Sequence, residues 1–365
     1  MKICYLVNQM HSLGGVERTL HNRLVELSKD YEIYLITVEQ GKRPYYFEKI
    51  SQVNYIDLNI KFERINNIYM KKNLNNIFGI VQKYFKLISV INKIKPDYIV
   101  SVSMGLTSYL LSFINYKGEL IYEHHASFYH LGFDKTPPNN FKTSIFNQYS
   151  KHIFLSEEEK KLASFINAEK FVIPNPIPNN LPHIIPFSNK KNRIIAAGRY
   201  VEIKGFERLL KAWNMIYLNC PNWTLEVYGD PDEIIYQKLK IYIAENHLQD
   251  RTFLLPSTNR IIDIINDSKI YAMTSYFENF PMVMLEALSL GTINVAFDCP
   301  TGPRNIIDNK TGYLVENGNI ELYAQTLLRV IGNQEEAKLK SLNALESSQK
   351  FALNNIIDSW KAILN

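Results

Sequence analysis

Strand-like apolar runs and helical patterns alternate from one end of this chain to the other. One segment rich in proline and asparagine, Pro174-Asn-Pro-Ile-Pro-Asn-Asn-Leu-Pro182, breaks the alternation near its middle. No other feature constrains the fold as much, because regular strand–helix alternation yields a parallel sheet covered by helices on both faces. In the first half, runs at 2–7, 31–38, 98–103, 119–122, 152–155 and 170–173 predict short buried strands. The segment 16–28 predicts a helix with Leu20, Leu24 and Leu27 on one face. The second half repeats the pattern, with strands expected at 193–197, 224–228, 252–255, 270–274, 293–296 and 313–315. The proline segment is the expected hinge. The fold class expected is therefore α/β, with two Rossmann-like, doubly wound parallel-sheet domains, 1–180 and 181–350. Ligands are expected in a cleft outside the carboxyl ends of the strands. The final segment, 351–365, has apolar residues at helical spacing.

A length of 365 residues suits two domains, and 46 % hydrophobic with 21 % charged residues is ordinary for a globular enzyme. No apolar run approaches the roughly 20 residues of a membrane span. The apolar run after Met1 is too short for a signal-peptide core, so a cytoplasmic location is expected. Cys4, Cys220 and Cys299 lie far apart, without metal or redox spacing. Net charge is +5, and the surplus gathers at 61–95, where eight basic residues accompany Glu63. Phe78, Tyr84 and Phe85 are interleaved there. Such a mixture suits an anionic membrane surface, here the inner face of the cytoplasmic membrane. It equally suits a helix packed on its own sheet with lysines in water. No nucleic-acid recognition motif is present, and the charge is modest, so nucleic acid is not an expected partner.

Residues 271–290, reading YAMTSYFENFPMVMLEALSL, carry the densest chemistry. A strand ends near Thr274, a polar-aromatic turn holds Glu278, Asn279 and Phe280, and Pro281 suits the first position of a helix. Glu286 falls on that helix's second turn. Free N–H groups at a helix start attract phosphate, and flanking carboxylates accept bonds from sugar or ribose hydroxyls. Gly198-Arg199 and Lys204-Gly205 follow the first strand of the second half, where a guanidinium and an ammonium suit a diphosphate. Gly14-Gly15 opens the first helix but is not a full GxGxxG fingerprint, which argues against a nicotinamide cofactor. Glu123-His124-His125 follows a strand; neighbours there face opposite ways, and no third ligand is evident for a metal. Asp230-Pro-Asp232 matches a metal-binding DxD pattern, but a helix cap accounts for it.

Glu278-x7-Glu286 in its strand–loop–helix setting resembles the donor-site motif of family 4 glycosyltransferases, which have the GT-B fold. Asp298-Cys-Pro-Thr-Gly-Pro-Arg304, Thr311-Gly-Tyr-Leu-Val315, Gly198-Arg199-x4-Lys204-Gly205, Val172-Ile-Pro-Asn175-Pro and Gly14-Gly15-Val-Glu17 are similar to further segments of that family, in the same order. The resemblance implies two domains facing a central cleft, with the C-terminal helix packing back on the first. It implies retaining transfer of a hexose or N-acetylhexosamine from a nucleotide sugar, UDP-linked in the nearest subgroup. The acceptor implied is a bacterial cell-surface or lipid-linked glycan. Arg199 and Lys204 would bind the diphosphate, Glu278 the sugar, and Glu286 the ribose, with His124 near the transferred sugar. Gly14, Gly15, Asn175, Gly198, Asn279, Phe280 and Pro281 would line the donor site. No metal or other cofactor is expected. The rival readings are another GT-B nucleotide-sugar enzyme, such as an epimerase, and a sugar-binding module without catalysis.

Overall fold

The computed structural model describes residues 1–12, 14–59, 74–102, 106–230 and 232–365. Part of the basic–aromatic stretch, including Lys71 and Lys72, therefore lies outside the described residues. The chain divides into two compact units, Met1–Pro174 with Ile356–Asn365, and Asn175–Asn355. The proline segment joins the second unit from its first residues, because the N–H of Ile177 bonds the carbonyl of Phe351.

The first unit holds seven parallel strands, β1 (Lys2–Val7), β2 (Glu32–Thr37), β3 (Val53–Asp57), β4 (Tyr98–Ser101), β5 (Glu119–Glu123), β6 (Lys151–Phe154) and β7 (Glu169–Val172), in the order β3-β2-β1-β4-β5-β6-β7. Six of them are the strands expected. The sequence reading missed β3, an edge strand flanked by turn residues. Its Val53-Asn-Tyr-Ile-Asp57 carries two polar positions and only one fully buried side chain. Central strands read differently: Ile3 to Val7 are all buried, as befits a strand with helices on both faces. Leu6, Ile36, Ile99, Tyr122 and Phe154 form part of this unit's core.

The second unit holds β8 (Lys191–Ala197), β9 (Thr224–Tyr228), β10 (Thr252–Leu255), β11 (Ser268–Met273), β12 (Ile293–Phe297) and β13 (Gly312–Val315), ordered β10-β9-β8-β11-β12-β13 and all parallel. All six were expected, within a few residues at their ends. Ile194, Trp213, Val227, Ile270, Val295 and Phe297 lie in one core cluster. The indole of Trp213 donates to Thr252 Oγ1 at 2.9 Å, so even this buried aromatic has its polar atom satisfied.

The helix Leu353–Leu364 starts in the second unit and belongs to the first from Ile356. Lys361 pairs with Asp30 at 2.5 Å, Lys151 Nζ donates to the carbonyl of Ile363, and Trp360 is buried. In both sheets the strand order reverses between two neighbours, β1/β4 and β8/β11. Crossovers leave these strands in opposite directions and open a crevice at their carboxyl ends.

Candidate functional site

In the second unit the two loops at this reversal are stitched together. After β8 come Gly198 and Arg199, then a 3₁₀ turn, Glu202–Lys204, then Gly205 and the helix Phe206–Ile216. Gly205 has φ +61°, and a Cβ there would lie 2.2 Å from the carbonyl oxygen of Thr274. Only glycine meets both demands. Thr274 Oγ1 returns a bond to the Gly205 carbonyl at 2.9 Å, and the Tyr276 N–H bonds the Ile203 carbonyl. The alkyl stem of Lys204 lies on Gly198, 3.2 Å from where a Cβ would stand. Its ammonium is thereby aimed at Glu278 Oε1, 2.7 Å away. Ser275 Oγ donates to the same oxygen at 2.7 Å.

Glu278 is held from a second side. It bridges to Thr301 in the loop after β12, whose hydroxyl donates to the Glu278 carbonyl at 2.8 Å. Gly302 presses so close that a Cβ there would meet Glu278 Cβ at 2.6 Å. Asp298 and Arg304 close this loop with two 2.8 Å bonds. Arg199 follows β8 and is exposed, and among the described residues no hydrogen bond or ion pair engages its guanidinium. Pro281 caps the helix Met282–Ser289 instead of opening it as its first residue. Its ψ of 106° is extended, so helical geometry begins one residue later. Phe280 is buried against Phe351, and Asn175 is buried too. Glu286 lies in that helix, as its spacing predicted, and is wholly buried. Burial first, then the charges of Glu278 and Glu286, pushes the Tyr271 hydroxyl far above its ordinary value.

Arg208 escaped the sequence reading. It is buried, donates to the carbonyl of Thr274 at 3.1 Å and to Asn317 Oδ1 at 2.8 Å, and lies over Phe297 and Tyr276. It thereby holds the turn that carries Glu278. Its only signal was a position on the first turn after Lys204-Gly205, which a surface arginine shares.

In the first unit a cavity of about 360 Å³ opens at the β1/β4 reversal, lined among others by Asn8, Glu17, Glu123, His124 and His125. Gly14 is the cap of the helix Gly15–Leu27 and makes no side-chain cap bond. The Glu17 carboxylate folds back beside Gly14, within 2.0 Å of where a Cβ would stand, and accepts from Ser12 at 2.9 Å. That helix start therefore already has a carboxylate near its positive end. His124 and His125 differ sharply. His124 stacks on Phe154 at 4.4 Å and meets His152 Nδ1 through Nε2 at 2.9 Å. Burial, then the neighbouring His152 and His125, holds its pKa well below the ordinary value, so it is neutral. His125 instead puts Nε2 3.0 Å from Glu123 Oε1. Burial alone would raise the Glu123 carboxyl, but Arg23 and His125 outweigh it and hold it down at about 2.

Asp232 is a helix cap: its Oδ1 accepts from the N–H groups of Ile234 and Ile235. Among the described residues no group of three or more His, Cys, Asp or Glu side chains is arranged to hold a metal ion.

Residues 179–345 match the glycosyl transferases group 1 family. Over the whole chain the fold matches that of HepE from Anabaena, solved in complex with UDP, with a TM-score of 0.79 at 18 % identity, covering 100 % of this chain and 99 % of that one. The fold is thus that of GT-B glycosyltransferases, and the second unit matches the group 1 family over most of its length. The full length is also 28 % identical to an uncharacterized glycosyltransferase of Haemophilus influenzae. It is 27 % identical to the amylovoran biosynthesis glycosyltransferase AmsD of Erwinia amylovora; both matches cover 100 % of this chain and 99 % of the relative.

Proposed function

We propose that this chain is a retaining, family 4 type glycosyltransferase that needs no metal ion. In this reading it moves a hexose or N-acetylhexosamine from a UDP-sugar to a bacterial cell-surface glycan: capsule, exopolysaccharide, lipopolysaccharide or lipid-linked oligosaccharide. The observation that carries the reading is the Lys204–Glu278 pair at the strand reversal of the group 1 domain, with Arg199 exposed in the same loop after β8. The UDP bound to HepE and the amylovoran role of AmsD support the donor and acceptor classes.

Cleaving the bond between the anomeric carbon and the diphosphate puts negative charge on the leaving group. Lys204 and Arg199, with the start of the helix Met282–Ser289, would stabilise that charge in place of a cation. Without donor, the Lys204 ammonium is neutralised by Glu278; a diphosphate would draw it away and release Glu278 to sugar hydroxyls. Glu286 would meet the ribose once the loop around it adjusts. The acceptor hydroxyl would lose its proton towards the donor phosphate on the same face, which retains configuration. The enzyme would work in the cytoplasm, at the inner membrane face, held there by the basic–aromatic segment 61–95. A panel of UDP-, GDP- and ADP-sugars, scored for hydrolysis and transfer with and without excess EDTA, tests this. Turnover of UDP-sugars that survives chelation is expected. Loss on chelation, restored by manganese or magnesium, would reject metal independence, and no turnover of any donor would reject the enzyme.

A further inference from the structure

Beneath the first unit's pocket lies an ion pair that the sugar chemistry proposed above leaves unexplained. Arg23, on the helix Gly15–Leu27, and Glu123, at the end of β5, have side chains only 3 % and 2 % exposed. They meet through two parallel bonds, Nη1 to Oε1 at 2.9 Å and Nη2 to Oε2 at 2.7 Å. A desolvated pair of this kind is a poor source of stability, because well-packed apolar residues commonly do as well or better. Its neighbours give it another use. The Arg23 guanidinium lies over the Trp360 indole, 4.0 Å from the ring centroid, with Tyr5 at 5.2 Å on the same group. Trp360 comes from the C-terminal helix. On the other side Glu123 reaches His125, which lines the pocket.

Glu123 Oε1 stands 3.0 Å from His125 Nε2, and an ionised carboxylate only accepts, so this contact favours the tautomer with its proton on Nε2 and its lone pair on Nδ1. We propose that Trp360, Arg23 and Glu123 form a positioning relay through which the C-terminal helix sets the orientation and tautomer of His125. His125, in turn, accepts a hydrogen bond from a sugar hydroxyl through Nδ1. The ring of His124 is committed to Phe154 and His152, so His125 is the histidine the relay governs. The geometry stands on the contacts above; the sugar partner rests on the glycosyltransferase reading.

The relay is tested first without substrate. Full-length protein labelled with ¹⁵N-histidine, at about pH 8 where a free imidazole is neutral, should show His125 as the Nε2–H tautomer, assigned by its loss in His125→Ala. Glu123→Gln and Trp360→Leu should populate the Nδ1–H form, whereas Trp360→Phe, which keeps an aromatic face over the guanidinium, should not. With a UDP-sugar, Trp360→Leu should lower kcat about tenfold or more with the donor KM within about threefold, and Trp360→Phe should stay within about twofold of wild type. Leu58→Ala, a cavity elsewhere in the same unit's core, should lose stability without that kcat loss. An unchanged His125 spectrum in Glu123→Gln overturns the relay. So does a kcat loss in Leu58→Ala equal to that in Trp360→Leu. Wild-type protein that turns over no nucleotide sugar overturns the enzyme reading alone, since the spectra need no turnover.

Discussion

Lys204 and Glu278 are 74 residues apart in sequence and 2.7 Å apart in space, and the functional reading turns on that juxtaposition. Replacing Lys204 with Ala leaves Glu278 as a largely buried carboxylate with Ser275 as its remaining donor, and takes the ammonium from the diphosphate. Turnover should fall by about a hundredfold or more, corresponding to roughly 3 kcal/mol of transition-state stabilisation. Arg199→Ala should cost a similar factor but little stability, because its guanidinium is exposed. Steady-state kinetics beside thermal melts separates the two, and full activity in Lys204→Ala would sink the assignment. The placement of both residues, and of Glu278, in loops after strands was legible in the sequence because each stands at a fixed offset from a strand end or a glycine. Arg208 was not. Its role depends on carbonyls of a loop 66 residues away, and nothing local distinguishes it from a solvated arginine. Which of His124 and His125 stacks on Phe154 was equally invisible, since strand pairing settles it and spacing does not.

At the level of elements, twelve of the thirteen strands among the described residues announced themselves by apolar runs, and the exception, β3, is half exposed at a sheet edge. The two strands that carry the buried histidines give this unit a distinctive response to acid. His152 on β6 donates from Nε2 to the Phe146 carbonyl and is held down to about 4 by burial; His124, after β5, lies lower than its ordinary value for the same first cause. The unfolded chain protonates both near pH 6.5, whereas the folded chain does not. Stability is therefore full above about pH 6.5 and drains away as pH falls towards 4, by about 3 kcal/mol for His152 alone. Glu123 adds a second loss, beginning below its unfolded value near 4.5 and complete near 2. Thermal melts between pH 8 and 4 should show a flat upper limb and a steep lower one. His152→Leu, less stable at neutral pH, should lose less across the 6.5-to-4 window; an equal loss would place the acid sensitivity elsewhere.

For the molecule as a whole, the open question is where it works. No described helix is long and apolar enough to cross a membrane; the attachment proposed above is to a membrane surface. The described part of the basic–aromatic segment includes the helix Leu74–Ile94. Leu87, Ile91 and Ile94 are buried against the first unit's core, which accounts for part of the interleaved hydrophobicity by ordinary packing. Phe85, by contrast, is 63 % exposed, Val81 is exposed beside it, and exposed Phe113 receives the Tyr84 hydroxyl bond on its carbonyl. The sequence could not divide these residues between core and surface, because a helix of mixed Lys and aromatic residues satisfies both patterns. An outward aromatic amid basic residues suits the headgroup region, and each Lys or Arg near an anionic surface contributes about 1 kcal/mol. Three or four such residues suffice for reversible binding. Co-sedimentation with vesicles should therefore require anionic lipid and weaken as salt rises. It should fall in a folded Lys71→Glu, Lys72→Glu, Lys83→Glu, Lys86→Glu variant, and independently in Phe85→Ser. The charge variant tests the electrostatic term and the Phe85 variant the apolar one, so a loss in only the first would mean attraction without insertion. Equal recovery on neutral vesicles, or none on anionic ones, would reject membrane attachment and leave Phe85 as an exposed side chain with no membrane role.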